Sequence, residues 1–424
     1  MKNQDSSTFR SEDAERVNEC NPLIDSFIDG NSVNRTMSVF PRAPSYARLF
    51  AGPRRPLQLR RVILVLLVLL LCSIAFARWK LRVLDVDDTQ TLLTAHTYER
   101  YIGLEFKFCN GIANQMYRYA SLYSIGKAID REPYIDSSLP CTTSILPELA
   151  ASMPEFYSKL HLIRTPRNLV TRVEFASKSC CKFDNVSKLA KISPKIKYLK
   201  LNSNLLQSYK FFDEHKSELR KVFEFSPITK EYVRVYSEHL FGNDTNFKFC
   251  VHTRLGDFKN HAYLLPSKHS FTNPAIAFVG EELHKTVANI SLVLLGTDKQ
   301  FIEKIRAPKN MFKKIHQPHD MSRTEELHFA SKHCDAFLIT ASGSTFAWWM
   351  AYLMADDAQE RVYYNYLASK DKSFGKDFYD YDTFPPQWRR LRRFNNTAIG
   401  YETRWHRDIK DDKDSVLLHR GYKV

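Results

Sequence analysis

Nowhere in this chain of 424 residues does a pair of carboxylates follow an apolar strand. Asp85-Val86-Asp87 stands just past the one long apolar run, and Asp380-Tyr381-Asp382 and Asp412-Lys413-Asp414 follow no apolar strand, so all three read as solvated acidic surface. The strand-end Asp-x-Asp spelling that holds a divalent ion against a diphosphate is thereby excluded, and no metal is expected. No carboxylate pair stands out for hydrolytic work either. Cysteine is sparse, 8 in all, and its spacing makes no zinc framework. Acidic residues are outnumbered, 47 against 62 Lys and Arg, which leaves a formal net charge of +15. Such a balance suits nucleic acid, an anionic membrane or a phosphorylated ligand. With 44% hydrophobic and 13% aromatic residues the chain is no disordered protein, and its length suits two or more domains.

Compartment decides among those partners. Val62 to Ala77 carries no charge and is apolar nearly throughout. As a helix it spans about 24 Å at 1.5 Å per residue. That is short for a bilayer core, but snorkelling arginines at both ends and Trp79 at the interface extend it, and early secretory membranes are thinner. A cleaved signal peptide would place the run nearer the start. Arg42, Arg48, Arg54, Arg55, Arg60 and Arg61 precede it closely, whereas Arg78, Lys80 and Arg82 soon give way to Asp85, Asp87 and Asp88. This asymmetry predicts a signal anchor over 62–78, a cytosolic disordered tail over 1–61 and a lumenal body behind a stem over 79–100. A lumenal body excludes nucleic acid as a partner.

Two further features agree with a lumenal body. Asn185, Asn243, Asn289 and Asn395 each head an acceptor sequon for glycosylation past the span, while Asn34 in the tail should stay bare. Cys109, Cys141, Cys180, Cys181, Cys250 and Cys334 lie on the same oxidising side, where six cysteines allow fifteen full pairings and the sequence does not choose.

Beyond the stem the chain reads as strands alternating with helices. Tyr101 to Cys109 looks like a strand and Asn110 to Asp130 a helix whose start carries Asn114 and Gln115. Residues 136–246 are less legible, with helices expected around Phe212 to Phe223 and Ile228 to Leu240. Phe247 to Val251 alternate as a buried strand, and His252-Thr253-Arg254-Leu255-Gly256-Asp257 leave its carboxyl end. An open α/β sheet presents its ligand crevice there, and a planar Arg can grip a phosphate with two parallel hydrogen bonds. Arg254 is therefore the first candidate anchor. Ala275 to Ala288 suits a helix, Ser291 to Asp298 a buried strand, and Asp335 to Ala355 a strand, a small-residue turn and an apolar helix. Within that turn Ser342, Ser344 and Thr345 bring hydroxyls and N–H groups to a helix start, which is either an N-cap or a phosphate cradle. Strand ends at His252, Gly296 and Thr340 are expected on one edge of one sheet.

Gly111 to Tyr123, Val251 to Phe258 and Ala341 to Leu353 resemble the Asn-Gln-Met, His-x-Arg-x-Gly-Asp and Ser-x-Ser-Thr-Phe-x-Trp-Trp motifs of the galactoside α1,2-L-fucosyltransferases of glycosyltransferase family 11. The resemblance runs over about residues 101 to 367. It departs at Leu255, where many members carry a second Arg, and at Ala113, where they carry Gly. It implies an α/β, GT-B-like two-domain glycosyltransferase with Rossmann-like parallel sheets: an acceptor-side subdomain over 101–245 and a subdomain over 246–424 for the donor. It also implies a Golgi type II membrane protein that takes GDP-fucose as donor, inverts the anomeric carbon, needs no metal cofactor and fucosylates a glycan acceptor. Carried over by position, Arg254 binds the diphosphate with His252 and Asp257 shaping its pocket, while Ser342, Ser344 and Thr345 hold phosphate or fucose. Asn114 and Gln115 face the cleft from the acceptor side. Asp257 can orient Arg254 or act as base, and the former role is preferred. His316, His319, His328 and His333 read as surface or satisfied histidines. Another fucosyl linkage, α1,6 or protein O-linked, and an inactive glycan-binding relative are the alternatives.

Overall fold

Apolar runs too short for helices, each closed by polar residues, alternate with amphipathic segments and build two sheets. The computed structural model describes residues 73, 100–105, 111–139, 145–177, 181–203, 205–369, 379–394 and 398–405. In the first half these are β1 (Tyr101–Leu104), α1 (Ile112–Ala128), β2 (Glu132–Asp136), β3 (His161–Ile163), β4 (Val170–Glu174) and β5 (Tyr198–Asn202). They pair in the order β3-β2-β1-β5-β4, all parallel. The second half holds α2 (Pro227–Phe241), β6 (Phe247–His252), α3 (His269–His284), β7 (Ile290–Leu295), β8 (Ile315–His316), α4 (Arg323–His333), β9 (Ala336–Ile339), α5 (Thr345–Tyr352), β10 (Val362–Asn365), β11 (Arg389–Phe394) and β12 (Ala398–Tyr401). Its order is β12-β11-β10-β9-β6-β7-β8, with only the β11–β12 pair antiparallel.

Strand β6 lies inside this sheet. His252 pairs in register with Leu295 of β7 and Ile339 of β9, so the three carboxyl ends open on one edge, as the sequence predicts. A disulfide from Cys250 in β6 to Cys334, the residue that caps α4, ties that helix to the central strand. It is one of the pairings the sequence left open; Cys109, Cys141 and Cys180 fall outside the described residues.

The halves share one core. Trp348 and Trp349 on α5 are buried and meet Tyr117 on α1 with ring centroids 4.7 and 5.2 Å away. Phe212 stacks on Trp349 at 5.6 Å, Trp348 stacks on Tyr352 at 4.6 Å, and the Trp348 indole donates to the Thr383 carbonyl at 2.8 Å. Such rings give both buried area and directional contacts, so the helix that follows β9 is fixed against the helix that follows β1.

Several expectations need correction. Of the strand expected over Tyr101 to Cys109, Tyr101–Leu104 is strand and Glu105 is not, while 106–110 fall outside the described residues. Asp380 and Asp382 are not solvated surface but buried at 1% and 4% exposure. Asp382 accepts from the Phe183 backbone N–H at 2.9 Å and from Lys210 Nζ at 2.7 Å, which stitches the late segment back onto the first half. The run Arg389 to Phe394 forms a strand despite its four arginines: Leu391 and Phe394 are buried, and buried Arg392 pairs with Glu402 at 3.2 Å. The expected anchor over 62–78 lies outside the described residues except for Ser73, which is helical. Among the described residues no helix is long and apolar enough to cross a membrane. The cytosolic tail, nearly all of the stem, and Asn395 likewise lie outside them.

If the aromatic seam joins the halves, truncating it destabilises the whole body. Trp348→Ala should lower the unfolding free energy by about 3–5 kcal/mol, and Trp348→Phe by less. Urea unfolding followed by circular dichroism measures both.

Candidate functional site

The site grows from hydroxyls that bind the strand ends to one another. Thr253, just past β6, donates through N–H and Oγ1 to the Leu295 carbonyl at 2.9 and 3.0 Å. Thr340, just past β9, donates through Oγ1 to the His252 carbonyl at 2.8 Å and meets the Ser267 hydroxyl at 2.6 Å. Ser267 in turn accepts the Arg254 N–H at 2.8 Å and returns its own N–H to the Arg254 carbonyl at 2.9 Å. Gly296 closes this edge at φ +136°, where an added Cβ would stand 2.3 Å from Thr253 Oγ1 and 2.6 Å from its carbonyl oxygen. Only glycine gives both that conformation and that approach.

Arg254 therefore leaves a backbone held on both sides. Its guanidinium is about one-third exposed, pairs through Nη2 with Asp257 Oδ1 at 2.9 Å, and lies 5.5 Å from the Phe258 ring centroid. Among the described residues neither its buried Nε nor the buried Oδ2 of Asp257 has a hydrogen-bond partner. Asp257 thus holds one arm of the Arg254 guanidinium. Gly256, at φ +30°, provides the bend that brings the two together. Leu255, in place of a second Arg, is buried at 9% exposure.

His252 is buried, and its Nδ1 has no partner among the described residues. Burial, aided by the Arg254 charge, pushes its pKa down to about 3, so the ring is neutral at neutral pH. Its centroid lies 6.1 Å from that of Phe346, which puts the start of α5 beside it. At that start the three hydroxyls diverge in use. Ser342 donates to the Asn365 carbonyl, and Ser344 is the N-cap, accepting from the Ala347 N–H at 3.3 Å. Thr345, half-buried, has no engaged hydroxyl among the described residues. The turn is an N-cap with one hydroxyl to spare.

On the acceptor side, Asn114 and Gln115 part ways. Asn114 Oδ1 accepts from Gln207 Nε2 at 2.8 Å, whereas Gln115 is buried and lines an apolar cavity with Arg118, Tyr134 and His161. Ala113 sits inside α1, so no positive φ is required there. Of the sequons, Asn185, Asn243 and Asn289 are exposed. His316 is a satisfied histidine, bonded to Asp244 at 2.6 Å, and His319 lies at the surface beside Asp320. No group of His, Cys, Asp and Glu suited to a metal ion occurs among the described residues.

One residue escaped the sequence reading. Glu326 on α4 is half-buried, accepts no hydrogen bond among the described residues, and feels the Arg254 charge. Burial pushes its pKa up to about 7, and Arg254 opposes that rise. A signal existed: Ser322 and Glu325 form a capping box, which leaves the adjacent Glu326 with no capping task.

The His252 shift has a sign that can be tested. An unfolded His takes its proton near pH 6.5 whereas the folded ring resists to about 3, so stability is complete above 6.5 and falls as pH drops between those values. Each such proton contributes about 1.4 kcal/mol per pH unit. His252→Asn should therefore lose stability less steeply than wild type between pH 6.5 and 4, as read by urea midpoints; parallel slopes would show a protonatable His252.

No family model matches this chain. Two Caenorhabditis elegans proteins named galactoside 2-alpha-L-fucosyltransferase are similar to it. One is 26% identical over 341 residues, 74% of this chain and 83% of the relative. The other is 27% identical over 294 residues, 68% of this chain and 79% of the relative. Among solved structures, a NodZ alpha-1,6-fucosyltransferase co-crystallized with GDP aligns at TM-score 0.41 and 12% identity, covering 72% of this chain and 98% of that one. The curated similarities bear out the resemblance drawn from the three motifs, and the chain is a glycosyltransferase by that likeness.

Proposed function

We propose that this protein is an inverting fucosyltransferase that moves L-fucose from GDP-fucose onto a galactose hydroxyl of a glycan in α1,2 linkage. Its two parallel sheets act as the halves of a GT-B enzyme. The observation that carries this reading is Arg254: a guanidinium about one-third exposed, held by Asp257, at the strand edge that also carries His252, whose ring lies 6.1 Å from that of Phe346 in the first turn of α5. Transfer breaks the bond between fucose C1 and the β-phosphate oxygen, whose electrons leave with GDP, while the acceptor oxygen bonds to C1 from the other face and its proton passes to solvent. The transition state carries growing charge on the β-phosphate and oxocarbenium character on the sugar. Arg254 and the first-turn N–H groups of α5 meet that phosphate charge without a metal, and one such preorganised donor contributes roughly 3–4 kcal/mol. The Thr345 hydroxyl adds a donor at the same place. Glu326, whose carboxyl accepts no hydrogen bond among the described residues, lies close enough to feel the Arg254 charge.

The body is lumenal in this reading, tethered by 62–78 in the Golgi membrane. Glycosylation mapping tests the orientation: Asn185, Asn243 and Asn289 should carry glycan and Asn34 none, and the reverse pattern would refute it. Arg254→Lys keeps the charge but loses the planar fork, so turnover should fall strongly, and Arg254→Ala should nearly abolish it. GDP release from GDP-fucose with a galactose-terminated acceptor measures both, and wild-type release should survive excess chelator. A folded Arg254→Ala enzyme retaining more than about a tenth of the rate, a loss under ~1.4 kcal/mol, would sink the site assignment. Donor binding without release would identify a glycan-binding relative instead.

A further inference from the structure

The positive charge of this chain is not evenly spread. Residues 159–200 hold eleven Lys and Arg against two acidic residues, a surplus of nine within a whole-chain net of +15. The donor site does not use them. Parallel pairing explains where many of them go: all five strands of the first sheet start on one edge, opposite to their carboxyl ends. Lys159 stands just ahead of β3, Arg167 ahead of β4, and Lys195 and Lys197 ahead of β5, each exposed. Lys191, also exposed, ends the turn that leads into the same connection. At about 4.8 Å between neighbouring strands, the edge is roughly 19 Å long.

This basic connection is braced rather than loose. Buried Arg131, which precedes β2, donates through Nη1 to the Ile196 carbonyl at 2.7 Å and through Nη2 to the Ser193 carbonyl at 3.1 Å. The Lys195 N–H bonds to Ser193 Oγ at 3.3 Å, and Lys197 Nζ lies 5.7 Å from the Tyr198 ring centroid. Lys191, Lys195 and Lys197 make no ion pair among the described residues, whereas nearby Lys188 is paired with Asp184. Unpaired cations held on a fixed edge repel one another unless an anion lies along them.

We infer that the amino edge of the first sheet is a docking surface for a polyanionic glycan, a sulfated or uronate-bearing polysaccharide chain lying along Lys191, Lys195, Lys197 and Arg167. The choice of a glycan over nucleic acid rests on the lumenal reading proposed above. A linear chain also fits better than a flat bilayer, because the exposed sequon Asn185 lies in the same stretch and a glycan there would hold a membrane surface away. Docking on this edge leaves the carboxyl edges open, so the polyanion and the donor do not compete.

Heparin is the probe, with the full chain in detergent at about 150 mM salt. Lys191→Gln, Lys195→Gln and Lys197→Gln together should weaken binding on the order of ten-fold or more, since each lost contact no longer releases a counterion. The control removes the same charge elsewhere: exposed Lys309, Lys313 and Lys314, each to Gln, should change affinity less than about two-fold. Equal losses in the two triple variants would reduce the effect to net charge and overturn the proposal. So would loss of binding to phosphatidylserine vesicles with heparin binding unchanged. Lysine acetylation of wild type gives a reading free of any variant: heparin should protect Lys191, Lys195 and Lys197, and failure to protect them contradicts the inference. None of these readouts uses fucosyl transfer, so they stand or fall apart from the enzymatic reading.

Discussion

The hydrogen-bonded chain Arg254–Ser267–Thr340–His252 is the constraint on which the site depends. It joins backbone just past β6 to a hydroxyl just past β9, while Thr253 joins the same place to β7. Buried polar groups in such a network have few alternatives, because each lost bond leaves a desolvated donor or acceptor. The edge is therefore stiff before any ligand arrives. A stiff edge is what electrostatic stabilisation of a leaving phosphate requires, since reorganisation at the moment of transfer would consume its advantage.

Around that edge the charges are arranged asymmetrically. Asp257 holds one arm of Arg254 through Nη2, and His252 stays neutral because burial and the Arg254 charge both oppose its protonation. Glu326 approaches from α4, a helix whose far end is bound covalently to β6 through Cys250–Cys334. Thus the residues facing Arg254 come from elements fastened to its own strand. The Trp348–Tyr117 contact extends the same rigidity across to the first half, so α5 cannot shift without disturbing α1.

The central part of this arrangement was legible in the sequence because its signals are local. Period-two alternation marks β6, and the polar run His252 to Asp257 marks its end. The roles within the Ser342 to Thr345 turn were not legible: only three-dimensional packing reveals that Ser342 serves Asn365 and Ser344 serves as cap. Glu326 was missed because Arg254, whose charge it feels, lies 72 residues away in the sequence. Buried Asp380 and Asp382 were misread since solvation is the ordinary fate of a carboxylate, and nothing local announces Lys210 and Phe183 as partners. Strand β11 hid behind its arginines for a like reason, its pairing with Glu402 being visible only in the fold.

The central claim is that three strand ends and the facing helix form one nucleotide-diphosphate site. Hydrogen–deuterium exchange of the full chain with and without GDP tests it most directly. Protection confined to 252–258, 323–330 and 340–347 is the predicted result. Protection centred on the first sheet, or none at a GDP concentration that saturates binding, would contradict it.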